Sequence, residues 1–146
     1  MEQVDLYSVA LDHAWQWFSL HADQRIKTLH LYVLFLALFT AGYGTFSQIH
    51  NRPLSIAVAL IGVIVTASFW ILEERNRRLV KIGEAALSEI EDLLSVECSL
   101  PSMRLLSAAN SATGGLEGIV RYSWAIRAVL GGGLILMVVG LVLALR

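Results

Sequence analysis

Residues 54–72 read LSIAVALIGVIVTASFWIL, with no Asp, Glu, Lys or Arg, and the next six read EERNRR. A helix crosses the hydrocarbon core of a bilayer with about 20 consecutive apolar residues. An uncharged run of that length with a sharp charged edge predicts a transmembrane helix. Working outward, the stretches between Lys27 and Arg52 and between Arg127 and Arg146 are also free of formal charge, and each gap holds 18 or more residues. Three transmembrane helices are predicted, near 29–47, 54–72 and 128–145. The whole composition agrees: 56% of the 146 residues are hydrophobic, 16% are charged and the mean hydropathy is +0.64. That is too apolar for an ordinary soluble domain of this size. The soluble alternative is a helical bundle built from unusually apolar helices.

Several classes fall away on composition. Glu2, Asp5 and Asp12 stand where a signal peptide carries its basic region, and no long apolar core follows before residue 29, so no signal peptide is expected. A net charge of −1 lacks the basic stripe of a nucleic-acid binder. The single Cys98 forms neither an internal disulfide nor a metal cluster.

Lys and Arg set the expected orientation. Arg25 and Lys27 precede the first span, and Arg75, Arg77, Arg78, Lys81, Arg104, Arg121 and Arg127 lie between the second and third. Only Arg52 and Arg146 fall on the opposite side. Nine against two favours a cytoplasmic N-terminus and an extracytoplasmic C-terminus in a bacterial inner membrane. Cys98 then lies in a reducing compartment.

Between the spans, residues 4–20 show an amphipathic helical pattern. Val4, Tyr7, Leu11, Ala14 and Phe18 recur at spacings of 3 and 4, opposite Glu2, Asp5, Ser8, Asp12 and Gln16. The polar face is acidic where membrane-surface helices are usually basic, so docking on the protein's own cytoplasmic part is expected. His21 to Gln24 interrupts the pattern, with Asp23 as the expected N-cap of the first span. A tight turn is expected at 47–53. The second span has no Gly or Pro after Gly62 until Gly83. One helix from Leu54 to about Glu97 would be roughly 66 Å long at ~1.5 Å per residue. Ser99 and Pro101 predict a turn, Met103–Ala109 a short helix, and 110–115 (NSATGG) a loop before a last helix starting near Leu116. The expected divisions are an amphipathic helix at 1–22, a transmembrane hairpin at 23–72, a cytoplasmic extension and turn at 73–115, and the third span at 116–146. The fold class is all-α, an integral membrane protein with a cytoplasmic helical hairpin.

Small residues recur at packing intervals. Ser55, Ala59, Gly62 and Thr66 share one face of the second span, and Ala128 with Gly132 and Gly140 with Ala144 form pairs on the third. Small residues let helix backbones approach closely in lipid, where no hydrophobic drive operates. Three helices offer more such faces than one chain needs, so a homo-oligomer is expected. No ionisable residue lies deep in any span, which argues against active transport. A pore, if formed, would be lined by Thr, Ser, Tyr or apolar groups between subunits.

Thr40–Phe46, TAGYGTF, is close to the potassium-filter signature. A filter follows a re-entrant pore helix and a complete span, whereas one apolar run precedes this segment and is itself needed as the first span. The segment reads instead as a small-residue contact at the outer end of the helix. Arg75, Arg77, Arg78 and Lys81 sit where the second span ends, as an interfacial anchor or a contact for anionic lipid or a nucleotide. Arg25 and His30 have the spacing of the HEPN ribonuclease pair but lie at a membrane entrance without that fold. His13, His21 and His50 lack metal-ligand spacing, and 110–115 lacks the Lys of a P-loop. No enzyme, cofactor or metal is expected.

Two stretches, His13–Leu36 (HAWQWFSLHADQRIKTLHLYVLFL) and Phe69–Glu91 (FWILEERNRRLVKIGEAALSEIE), resemble small bacterial membrane proteins of the SLATT type and the membrane effectors of cyclic-pyrimidine phage defence. The resemblance implies a few membrane helices that oligomerise and breach the inner membrane on a nucleotide signal. The expected function is thus an oligomeric effector that permeabilises or depolarises the membrane, its cytoplasmic helices receiving a signal. The alternative is a membrane-anchored scaffold recruiting a cytosolic protein through the 1–20 helix and the 79–97 stripe, in which Leu79, Ile82, Ala86, Ile90 and Leu93 keep a helical spacing beside Glu89, Glu91 and Asp92.

Overall fold

The structure is a computed structural model that describes residues 2–97, 99, 104–106, 108 and 122–146; of 2–5 and 122–123 it describes the backbone only. Three long helices account for nearly all of it: α1 Glu2–Gln48, α2 Arg52–Glu97 and α3 Tyr122–Leu145. Each is long and apolar enough to cross a membrane.

α1 differs from expectation. It runs through His21–Gln24 without a break, so no separate N-terminal helix exists. The physical reason lies in the residues. No Gly or Pro occurs before Gly42, and Asp23 costs only a few tenths of a kcal/mol in a helix interior. His21 Nδ1 instead meets Gln24 Oε1 at 3.2 Å across one helical turn. Thr40–Phe46 is helical too, so its carbonyls belong to the α1 ladder and form no ion filter.

The α1–α2 turn forms where expected. Asn51 N donates to Phe46 O at 3.0 Å and His50 N to Ser47 O at 3.1 Å, with His50 at φ 56°. That pair of bonds around one left-handed residue is a Schellman C-cap. Asn51 then caps α2, its Oδ1 accepting from Leu54 N at 3.3 Å, and Pro53 occupies the first turn, where no N–H is needed. α2 ends at Glu97, and Ser99 turns the chain at φ 52°. Ala108 N donates to Arg104 O at 3.0 Å, one turn of the expected short helix. Cys98, Pro101, the 110–115 loop and the start near Leu116 lie outside the described residues.

The contacts divide the chain into two units. The charged unit comprises 1–25 and 75–121, and the apolar unit comprises 26–74 and 122–146. In the apolar unit the buried positions on α2 are Ser55, Ala59, Gly62, Thr66, Phe69 and Glu73. Alternating steps of 4 and 3 make the seam of coiled-coil-like packing. Tyr32, Phe69, Ile126 and Leu130 form its core, with the Tyr32 and Phe69 rings 5.4 Å apart.

Candidate functional site

Within the apolar unit, glycines decide how closely helices approach. A side chain on Gly133 of α3 would begin where the Tyr32 hydroxyl of α1 lies. Tyr32 itself is 1% exposed, so it has no room to withdraw. A β-carbon on Gly62 would stand 2.6 Å from Met137 Sδ, the far end of a flexible side chain.

Most short hydroxyl side chains here bond locally, whereas the buried Tyr32 hydroxyl has no hydrogen-bond partner among the described residues. Thr40, Thr45, Ser55, Thr66 and Ser68 each donate to the carbonyl four residues back along the chain, which satisfies their O–H groups without a partner from another helix. Longer side chains reach across. Tyr43 Oη donates to Gly140 O at 2.8 Å and Arg52 Nε to Ala144 O at 3.3 Å. The Arg52 bond supplies a cationic donor to a carbonyl in the last turn of α3. At the other end of the unit, Arg127 Nη2 meets Glu74 Oε2 at 3.0 Å. A cleft of about 120 Å³ beside Tyr43 and Met137 is apolar but for Thr40 and Tyr43.

The residues singled out for packing between subunits separate into two groups. Ser55, Ala59, Gly62, Thr66, Gly140 and Ala144 are buried within one chain, whereas Ala128 and Gly132 are exposed. The first group is therefore occupied by contacts inside the chain, and nothing lies within 4 Å of a β-carbon placed on Gly132. Of the basic cluster, Arg75, Arg78 and Lys81 are exposed and Arg77 is half-buried.

In the charged unit the N-terminal part of α1 packs on α2. Trp17 Nε1 donates to Leu79 O at 3.3 Å. A β-carbon on Gly83 would stand 3.1 Å from the Phe18 backbone, so only glycine permits this approach without movement. The turn after α2 is tied back to it: Leu106 N donates to Glu91 Oε2 at 2.9 Å and Arg104 Nε to Ser95 Oγ at 2.8 Å. Sequence reading missed Tyr32, Arg52 and Glu91, because their roles arise from partners 15 to 101 residues away (Glu91 to Leu106, Tyr32 to Gly133). A Tyr in an apolar run is the one signal among them, since its hydroxyl needs accommodation.

No protein-family model matches the chain, and no solved structure matches it. Over 111 residues, 74% of this chain and 70% of its relative, it is 32% identical to a protein of Escherichia coli named CD-NTase-associated protein 19. At that identity and coverage, the chain belongs to the family of CD-NTase-associated protein 19.

Proposed function

We propose that this protein is a membrane effector of antiphage defence, acting as a homo-oligomer in a bacterial inner membrane and permeabilising or depolarising it when its charged unit receives a signal. The observation that carries the reading is the joint one: three helices long and apolar enough to cross a bilayer, in a relative of a CD-NTase-associated protein of the CBASS antiphage system. Lys and Arg placement favours a cytoplasmic charged unit. Conduction would run between chains, because the cleft in the apolar unit is small and apolar. Ala128 and Gly132 are the exposed small pair suited to contact between copies.

Purified protein in liposomes loaded with potassium or a small dye tests this directly. The expected result is leakage that rises with protein-to-lipid ratio or on addition of a nucleotide signal. A bilayer that stays tight under every nucleotide, together with stable capture of a defined cytosolic protein, rejects it in favour of the scaffold.

A further inference from the structure

The charged unit carries an apolar surface that its composition does not account for. Arg75, Arg77, Arg78, Lys81, Glu84, Glu89, Glu91, Asp92 and Glu97 crowd α2 after its apolar part, so this region is not a lipid face. Yet an open groove of about 710 Å³ runs along its last turns, with Arg104 among its lining residues. Among the described residues its apolar lining is Ala85, Leu93 and Val96, with Ser88 beside them. Leu93 is 47% and Val96 71% exposed. Three carboxylates, Glu89, Asp92 and Glu97, line the groove as well. Arg104 stands 3.0 Å from Asp92, which leaves two of the three carboxylates uncompensated by any described residue of the groove.

Apolar residues interleaved with carboxylates along one helix face complement an amphipathic helix with apolar anchors at i, i+3 or i+4 and Lys or Arg beside them. A second copy of this chain fits poorly. The charges of α2 are segregated, with four cations from Arg75 to Lys81 and five carboxylates from Glu84 to Glu97. Copies inserted in one membrane point the same way, so this face would meet its own carboxylates. We infer that the groove lined by Leu93, Val96, Glu89 and Glu97 docks a basic amphipathic helix of a cytosolic partner protein. The inference rests on the proposed function only for the cytoplasmic placement and common direction of the copies.

The test uses the full-length protein in phosphatidylcholine nanodiscs and two labelled helical peptides, one of Leu and Lys and one of Leu and Glu with the same apolar spacing. Empty nanodiscs report binding to lipid. The Leu–Lys peptide is expected to saturate the protein discs above the empty ones and to bind at least tenfold tighter than the Leu–Glu peptide. Glu89→Lys with Glu97→Lys should weaken it at least tenfold and Val96→Ala severalfold. Glu84→Lys, outside the groove, should change it less than twofold. Unchanged helicity by circular dichroism shows that the variants fold. Equal binding to empty discs, or indifference to the groove variants, overturns the inference. So does a Val96→Cys variant in a Cys98→Ser background that crosslinks between copies, or to a cysteine placed within 109–121 of its own chain while excluding the peptide. Peptide binding with a tight bilayer rejects permeabilisation and leaves the groove standing; leakage without peptide binding does the reverse.

Discussion

At the scale of single residues, neighbouring glycines on α3 have opposite tolerances. Gly133→Ala must displace the buried Tyr32 hydroxyl, while Gly132→Ala meets open space. Overpacking of this kind costs about 1–3 kcal/mol. Thermal unfolding in detergent should show a clear loss for Gly133→Ala, no loss for Gly132→Ala, and partial recovery when Tyr32→Phe is added to the first. Equal melting of the two glycine variants would contradict the packing. His50 gives a prediction of the opposite sign. Its left-handed conformation at the α1 C-cap costs a residue with a β-carbon about 1 kcal/mol. His50→Gly should therefore raise the melting temperature, and His50→Val should lower it.

At the scale of elements, helix continuity and helix pairing have different origins. The absence of Gly and Pro before Gly42 lets α1 run through the positions where polarity alone suggested a cap. Pairing depends on where two surfaces meet. The expected docking of the N-terminal residues on the charged part of α2 is present as the Trp17–Leu79 bond and the Phe18–Gly83 approach. Gly83→Val should lift the N-terminal part of α1 away. Amide exchange across residues 6–20 should then quicken at least tenfold while 29–47 stays protected. Protection unchanged over 6–20 would mean that this contact contributes little. At the opposite end, Arg52→Ala removes a donor to Ala144 O; because Arg52 is exposed, solvent screening keeps the loss small, about 1 kcal/mol or less. Faster exchange confined to the last turn of α3 is the expected sign. Loss of Arg127 should matter about as little, because its pair with Glu74 is part-exposed and such pairs contribute only about 0.2–1 kcal/mol.

At the scale of the whole molecule, the small residues divide by use. Ser55, Ala59, Gly62 and Thr66 serve the seam inside the chain, and Ala128 and Gly132 remain outward. If copies associate as proposed, Ala128→Leu with Gly132→Leu should reduce crosslinked oligomer in native-like bilayers without lowering the melting temperature. Ala59→Leu should do the opposite, lowering stability first. Oligomer yield that follows the Ala59 face alone would place the interface elsewhere.

The helical class, the three apolar helices, the turn at 47–53 and the end of α2 at Glu97 were legible in the sequence. Hydropathy, charge gaps and capping residues act over one to twenty neighbouring positions, so a linear reading captures them. The partner of each small-residue face was not legible. Ser55–Thr66 and Ala128–Gly132 present the same chemistry, and only the packing of α1 and α3 on α2 decides which is spent within the chain. The groove beside Leu93 and Val96 was hidden for the same reason: a helical stripe says that a face is apolar, and tertiary structure alone says whether anything covers it.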